Sequence, residues 1–415
     1  MGRGTKHITV FEHENLRSDR GDKRLLPNQL EALQLFYGEG VPYYSLIHHG
    51  VKFNEYVGVI QIGDTVIEIL PKADKNSDVG RWRNVLISML HAVGIFNIHA
   101  PSSSDLQLQT NSILDLYFEL FIRELEYLFR RGLVKKYRRV EGNTSALKGS
   151  IHFAKHINLN VTHQERFYVK HCTYDKQHDI HAILYKALKL LKNINTNTQL
   201  NSRIGALLLD FPDQQDIKTT EYTFERISLD RKTEPYKNAL EIARLILLNY
   251  HPDVRKGNNN VLALMFDMNM LWEQFVYVSL RNFKSNDITI AAQQIKNFWK
   301  PNVGGSSKIK PDIVLNRNTS KCIVLDTKWK NLNGYNPSPE DLRQMFVYMK
   351  YYQAKRVALV YPGEESRNQS GKYYDHYALD ANLLSNNECG VISIEVETDI
   401  KKWQKSIFET IIKNE

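Results

Sequence analysis

Apolar and polar residues alternate in four short segments near the start of the chain, a spacing typical of β-strands. The four segments are residues 8–11, 51–53, 57–62 and 65–70. Gly63 and Asp64 separate the last two segments and favour a tight hairpin turn. Apolar residues at helical spacing predict helices at 29–37 and 82–93. The pattern therefore predicts a small, mostly β region that ends in a helix.

Helical spacing dominates the middle of the chain, and the last third mixes helices with strands. Amphipathic patterns in the middle predict helices at 113–130, 180–191 and 236–248, and residues 148–153 favour a short strand pair. The order expected in the last third is helix, strand, strand, strand, helix, strand. The corresponding residues are 263–283, 289–291, 309–315, 322–328, 339–352 and 356–361.

Two polar segments, 99–105 and 251–260, are the natural boundaries between these regions. We therefore predict an α+β multidomain protein. A β-rich N-terminal domain covers residues 1–104 and a mainly helical domain covers 105–255. An α/β domain with a mixed central sheet covers 256–415.

Composition narrows the class of protein. Of the 415 residues, 42% are hydrophobic and 24% are charged, which argues against wholesale disorder. Lys and Arg outnumber Asp and Glu by 55 to 46, a net charge of +9 that is compatible with a polyanionic partner such as DNA. The three cysteines lie far apart and form neither a disulfide framework nor a zinc ribbon. This cysteine usage fits a reducing cytoplasm, and neither an apolar leader nor a membrane-length apolar run is visible, so we expect a cytoplasmic protein.

Two charged side chains interrupt the end of the apolar strand at 322–328. Asp326 and Lys328 are two residues apart, so both project from one face of that strand. An ion pair at the rim of a sheet would explain them. A second interpretation follows from Asp312, an acid near the start of the neighbouring strand, because a hairpin of the two strands brings it close to the pair.

Two converging carboxylates repel each other unless a cation lies between them. Mg²⁺ suits such a site, because it takes one or two carboxylates together with water and phosphate oxygens. There it would polarise a phosphodiester and lower the pKa of bound water, while Lys328 would offset the developing negative charge. Glu273, on the preceding helix, could support the metal or its water. Gln344 and Tyr348, four residues apart, share one face of the following helix.

These motifs resemble known nucleases. Asp312, Asp326 and Lys328 match the PD-(D/E)xK nuclease superfamily, and residues 344–348 are similar to the Gln-x-x-x-Tyr motif of its RecB-like branch. More of the chain resembles the McrC family, the nuclease subunits of McrBC-type 5-methylcytosine-dependent restriction systems. The stretches that carry this resemblance are 56–60, 67–72, 147–149, 229–231, 266–273, 325–330 and 341–348.

The resemblance implies a PD-(D/E)xK core in the last domain and an Mg²⁺-dependent endodeoxyribonuclease that acts in phage defence. It implies that Asp312, Asp326 and Glu273 bind the metal, that Lys328 is the catalytic lysine and that Gln344 supports the site. The implied partners are methylated duplex DNA and an AAA+ GTPase resembling McrB, with room for a dimer of the chain in the complex.

The β-rich N-terminal domain would dock that partner. A Walker A motif is absent from the sequence, so the GTP site must lie on the partner. A non-catalytic adaptor of an NTPase and a repair nuclease stay open as alternatives.

Other clusters have simpler explanations. His171, Cys172, His178 and His181 match no standard zinc spacing, and we interpret them as structural or surface residues. The basic run between residues 130 and 139 is typical of a solvated helix end, although phosphate contact stays open.

Two further groups flank the nuclease motifs. Lysines in the last third are better placed than the basic run to follow a DNA backbone; they are Lys296, Lys300, Lys308 and Lys310. We expect three tryptophans to pack the core rather than stack on bases; they are Trp272, Trp299 and Trp329.

Overall fold

The computed structural model describes most of the chain. The described residues are 6–73, 78–94, 113–252, 260–284, 287–332, 336–375 and 383–412. They fall into two compact units. Ile98–Leu264 forms the helical unit, and Lys6–Asn97 together with Met265–Glu415 forms the mixed unit.

The N-terminal part of the mixed unit is built mainly from strands, as its alternating pattern predicts. Its elements are β1 (Lys6–Phe11), β2 (Asn15–Arg17), α1 (Pro27–Tyr37), β3 (Tyr44–Ile47), β4 (Gly50–Phe53), β5 (Tyr56–Ile62), β6 (Thr65–Leu70) and α2 (Val79–Ala92). β5 and β6 form the predicted hairpin around Gly63, and β1 pairs in parallel with β6. β4 pairs antiparallel with both β2 and β3 in a second small sheet.

The helical unit consists of packed helices and a three-stranded sheet, whose two long strands form a ribbon. Its elements are α3 (Ile113–Arg131), β7 (Lys136–Thr144), β8 (Ser150–Ile151), α4 (Phe153–Asn160), β9 (Phe167–Asp175), α5 (Asp179–Ile194), α6 (Thr198–Asp210), α7 (Glu221–Glu225), a 3₁₀ turn (Glu234–Tyr236), α8 (Lys237–Leu248), β10 (Tyr250–His251) and β11 (Val261–Asp267). The ribbon pairs β7 with β9 over nine residues. The boundary between the two units falls within β11.

The C-terminal part of the mixed unit contains a six-stranded sheet, the largest among the described residues. Its elements are α9 (Met268–Phe283), β12 (Ile290–Ala292), β13 (Lys296–Trp299), β14 (Ser307–Ile309), β15 (Ile313–Leu315), β16 (Ile323–Thr327), α10 (Pro339–Tyr352), β17 (Arg356–Gly363), β18 (Arg367–Tyr374), β19 (Leu384–Glu395) and α11 (Ile400–Ile412). The strand order is β12-β15-β16-β17-β19-β18, and β13 and β14 form a separate hairpin.

This six-stranded sheet is mixed. β16, β17 and β19 run parallel to one another, and the remaining pairs are antiparallel. Helix α10 packs on β16 and β17, and α9 packs on β16, α2 and α11. Under α10 lies an apolar cluster that includes Val324, Met345 and Leu359. Since Asp326 is two residues beyond Val324 in β16, it projects from the same face of the sheet, towards α10.

The α+β class is confirmed, but three local predictions are wrong. Residues 263–267 belong to strand β11 rather than to a helix, and α9 begins only after Asp267. Residues 310–312 are not strand, because Pro311 lacks the N–H that a ladder needs. The ribbon is absent from the prediction, and residues 136–139 of the basic run lie in β7 rather than at a helix end.

The division into three domains stays a prediction. The boundary at 99–105 lies outside the described residues, as do residues 253–259 of the second boundary. Within the described part of the chain, no helix has both the length and the apolar character needed to cross a bilayer.

Candidate active site

The site is built on the antiparallel pair of β15 and β16. Ile313 pairs with Leu325, and extending this register by one residue places Asp312 opposite Asp326. The Asp312 side chain is fixed there by Thr327. Asp312 Oδ2 accepts hydrogen bonds from the Thr327 backbone N–H at 2.6 Å and from Thr327 Oγ1 at 2.8 Å. The sheet therefore brings Asp312 and Asp326 together, as the hairpin prediction requires.

Asp326 is almost fully buried, with 1% of its surface exposed. Lys328 Nζ lies 2.8 Å from Asp326 Oδ2, the distance of an ion pair. The contact does not meet hydrogen-bond geometry, so Oδ2 has no hydrogen-bond partner among the described residues. The Lys328 ammonium offsets the charge of this buried oxygen, and a bound metal ion would offset the charges of both acids together.

The charges of the site are coupled. Burial raises the pKa of Asp326 to about 6, and the negative charge of Asp312 adds to this effect, while Lys328 opposes it. Burial alone would lower the pKa of Lys328. The neighbouring Asp326 carboxylate and the further charge of Asp312 outweigh burial and raise that pKa. Lys328 is therefore held as an ammonium ion beside the two acids.

Helix α10 supplies polar groups from the side. Gln344 Nε2 donates to Asp326 Oδ1 at 3.3 Å and to Tyr348 Oη at 2.9 Å. Tyr348 in turn donates to the backbone carbonyl of Lys310 at 3.1 Å, just before Asp312. Gln344 and Tyr348, four residues apart on α10, thus face the acids. Their hydrogen bonds connect Asp326 to the backbone just before Asp312.

Glu273 is related to the site by charge rather than by a direct bond. Burial raises its pKa, and the negative charge of Asp312 raises it further. Its Oε1 accepts from Gln293 Nε2 at 2.9 Å. No group of three or more Asp, Glu, His or Cys side chains in the described residues is arranged to hold a metal. Asp312 and Asp326 alone are a donor set that suits Mg²⁺, with water and phosphate oxygens completing its shell.

Comparison with known proteins places this site in a family. The family model described as the McrBC 5-methylcytosine restriction system component matches residues 51–362, most of the chain. The chain belongs to this McrBC family. The matched residues include Asp312, Asp326, Lys328 and Gln344.

Solved structures agree on the fold of this McrBC family member. A chain in the refined half-complex from the tetradecameric assembly of Thermococcus gammatolerans McrB AAA+ hexamers with bound McrC is 20% identical, with a TM-score of 0.72. The match covers 99% of this chain and 100% of that one. A chain in the cryo-EM structure of the Thermococcus gammatolerans McrBC complex is also 20% identical, with a TM-score of 0.51 over 68% of this chain and 89% of that one.

The resemblance to McrC found in the sequence is confirmed. A search of curated proteins finds no match.

Some residues that shape the site of this McrBC family member are not among those predicted. Thr327 is the residue between Asp326 and Lys328, and its β-branched side chain predicts only a strand. Asn269 Oδ1 accepts from the backbone N–H of Trp329 at 3.1 Å, which fixes the chain just after Lys328. The only sign of Asn269 in the sequence is that it lies in residues 266–273, one of the stretches that resemble the McrC family.

Glu12 was also missed. Its Oε1 accepts from Trp329 Nε1 at 2.8 Å and from the backbone N–H of Lys72 at 2.7 Å. Because Glu12 and Trp329 are 317 residues apart in sequence, no local spacing could reveal the contact.

The remaining candidates lie in different environments. His181 is fully buried, and its ring nitrogens lie 2.7 Å from the Lys176 carbonyl and 3.2 Å from Tyr236 Oη, which supports a structural role. Trp272 and Trp329 pack in the core, as expected. The same expectation for Trp299 is wrong, since 59% of its surface is exposed.

Proposed function

We propose that this chain is the DNA-cleaving subunit of a 5-methylcytosine-dependent restriction complex and hydrolyses phosphodiester bonds with Mg²⁺. The observation that carries the proposal is the convergence of Asp312, Asp326 and Lys328 at one end of β15 and β16. Membership of the McrBC restriction family supports it. An ion pair at a sheet rim explains Lys328 and Asp326, but it does not explain a second carboxylate held against them.

Asp312 and Asp326 would hold the Mg²⁺ ion, and Asp326 Oδ2, which is paired with Lys328 by charge alone, is the oxygen best suited to it. Glu273 would support the ion through a bound water. The chemistry that Mg²⁺ supplies when bound is polarisation of the phosphodiester and a lowered pKa for its water.

The protein groups around the ion have separate roles. Lys328, held protonated by its acidic neighbours, would orient the attacking water and offset the negative charge that develops on the phosphate. Gln344 would orient Asp326, and Thr327 would orient Asp312 through two hydrogen bonds to one oxygen. Positioning of this kind lowers the barrier without adding a covalent step.

The motor of the proposed complex lies on another subunit. We infer an AAA+ GTPase resembling McrB as partner, because the sequence has no Walker A motif and because the matched Thermococcus gammatolerans assembly contains McrB AAA+ hexamers. Methylated duplex DNA is the proposed substrate, the cytoplasm the proposed compartment and phage defence the proposed role. Two copies of the chain within the complex fit this arrangement.

Cleavage by the reconstituted complex tests the proposal. Asp326→Ala and Lys328→Ala should each reduce cutting of methylated duplex DNA by at least about a thousandfold, while stimulation of GTP hydrolysis stays within about twofold of wild type. Glu388→Ala, at an exposed position outside the predicted docking domain, is the matched control and should cut normally.

Normal cutting by Asp326→Ala would exclude this site. If the wild-type complex does not cut but GTP hydrolysis is stimulated, the alternative of a non-catalytic adaptor of an NTPase would be favoured instead.

A further inference from the structure

The hairpin of β13 and β14 lies in the chain directly before Asp312 and has an unusual composition. Between Asp287 and Asp312 the sequence contains four lysines and no acidic residue. The hairpin forms its own two-stranded sheet, and Asn297 pairs with Lys308 and Trp299 with Ser307. This segment is therefore a small, purely basic projection of the mixed unit.

Large apolar side chains on the hairpin are exposed. Trp299 is 59% exposed, Val303 is 91% exposed and Phe298 is 43% exposed. The other four tryptophans of the chain are at most 6% exposed. An exposed tryptophan beside lysines is typical of a surface that binds another molecule.

The hairpin is anchored to the helix that serves the active site. Lys296 Nζ donates to the Tyr351 carbonyl of α10 at 2.7 Å and lies 4.5 Å from the centre of the Tyr352 ring. Phe298 packs on the Tyr351 ring with centroids 5.2 Å apart. Since α10 also carries Gln344, which bonds to Asp326, the hairpin has a defined position relative to the site.

Three of the four lysines are available to a ligand. Lys300, Lys308 and Lys310 are exposed, and none of them forms an ion pair with any residue that the structure describes. Lys310 is two residues from Asp312, so this charge continues up to the acids. A polyanion that follows the lysines would therefore arrive at the site.

We propose that this hairpin is a duplex-DNA-binding arm that holds the substrate beside the cleavage site. The inference rests on the proposed function and adds the surface that grips the substrate. Lys300 and Lys308 contact backbone phosphates, and Trp299 packs against the sugars beside them. Charge complementarity selects DNA over an apolar protein partner, because the segment carries four positive charges without a compensating acid.

Intrinsic fluorescence of the full chain tests the arm. Trp299 is the exposed tryptophan, so a short duplex added in EDTA should change the emission, and Trp299→Phe should remove most of that change. Anisotropy of a labelled duplex should show about tenfold weaker binding for Trp299→Ala. The double variant Lys300→Ala/Lys308→Ala should weaken binding and lower the slope of log affinity against log salt by about 1.8.

The matched control is Lys401→Ala/Lys405→Ala, which removes two exposed lysines from α11 of the same unit. It should bind duplex within about twofold of wild type. Unchanged thermal unfolding of every variant shows that lost binding is not lost folding. Wild-type affinity in the hairpin variants, or no binding by the wild-type chain, overturns the inference. A change in Trp299 emission caused by the GTPase partner but not by DNA overturns it in favour of a protein interface.

Binding in EDTA separates this inference from the proposed function. If the hairpin variants bind DNA normally while Asp326→Ala does not cut, the hairpin is not a DNA-binding arm, and the proposed nuclease site is supported. If the hairpin variants no longer bind DNA while Asp326→Ala still cuts, the DNA-binding arm is supported, and the assignment of the cleavage site is wrong.

Discussion

Thr327 is the residue on which the geometry of the two carboxylates depends. Its backbone N–H and its hydroxyl both donate to Asp312 Oδ2, and the side chain is buried. A buried hydrogen bond to a charged group contributes roughly 1.5–3 kcal/mol. Thr327 therefore holds Asp312 towards Asp326 against their mutual repulsion.

Replacing Thr327 by Val removes the hydroxyl but keeps the branched shape and the backbone bond. We expect the Mg²⁺ concentration for half-maximal cleavage to rise about tenfold, because Asp312 loses one of its two donors. Thr327→Ser keeps the hydroxyl and should stay within about threefold of wild type. Equal Mg²⁺ dependence of the Val and Ser variants would show that the hydroxyl does not position Asp312.

Glu12 is a second buried acid, and it accepts a hydrogen bond from Trp329, the residue after Lys328. Burial raises its pKa to about 7, although the bonds from Lys72 and Trp329 oppose that effect. Below about pH 7 the folded protein therefore holds Glu12 mainly in its protonated form. Because the folded pKa exceeds the ordinary glutamate value of 4.5, the stability that this proton contributes is complete below about pH 4.5 and is lost as pH rises towards 7.

Glu12→Gln should flatten this dependence, since the amide keeps an acceptor oxygen and carries no charge. In the wild type we expect the free energy of unfolding of the mixed unit to fall by up to about 3 kcal/mol between pH 5 and pH 8 through this group. All five tryptophans lie in that unit, so urea unfolding followed by tryptophan emission measures it. Glu388→Gln, at an exposed position, is the control and should keep the wild-type pH dependence. An unchanged slope in Glu12→Gln would contradict this assignment.

Helix α9 connects the core to the site. Asp267 caps its first turn, because its Oδ1 accepts from the backbone N–H groups of Asn269 and Met270 at 2.8 and 3.2 Å. Trp272 is fully buried and stacks on Trp403 with centroids 5.6 Å apart. The cap and this packing set where the helix begins and so where Glu273 lies.

Asp267→Ala should lower the free energy of unfolding of the mixed unit by about 1 kcal/mol, through loss of the cap. Asp267→Ser, which restores an accepting oxygen, should recover most of that loss. The same tryptophan-monitored urea unfolding measures both variants. Equal destabilisation by Ala and Ser would show that the carboxylate acts otherwise than as a cap.

Elements with a strong local signal were predictable, and those that depend on distant partners were not. Helix α10 has the predicted bounds, because Ser338 caps it, Pro339 opens it and apolar residues repeat at helical spacing. The start of α9 was missed because the apolar run before Asp267 has no period that separates strand from helix. The β7–β9 ribbon was missed because it has little buried surface and hence no apolar alternation.

The same contrast holds within the site. Asp312, Asp326 and Lys328 were predictable because a hairpin register places them together. The contacts of Gln344 with Asp326 and of Glu12 with Trp329 depend on tertiary packing. The exposure of Trp299 could not be predicted either, because its hairpin leaves the main sheet.

At the level of the whole molecule, the candidate site lies in the mixed unit alone. Asp312, Asp326, Lys328, Glu273 and Gln344 all belong to that unit, and so does the basic hairpin. The helical unit contributes none of the candidate catalytic residues. Because we propose that the GTP site lies on the partner, variants of the candidate site should change cleavage without changing GTP hydrolysis.

Binding of Mn²⁺, a spectroscopic substitute for Mg²⁺, tests most directly whether Asp312 and Asp326 form one metal site. Electron paramagnetic resonance of the full chain should show about one bound Mn²⁺ ion per chain in the wild type and in Asp22→Asn. Asp312→Asn and Asp326→Asn should each weaken that binding by at least about tenfold. Wild-type Mn²⁺ binding in both variants would contradict the assignment, because the two carboxylates would then hold no metal.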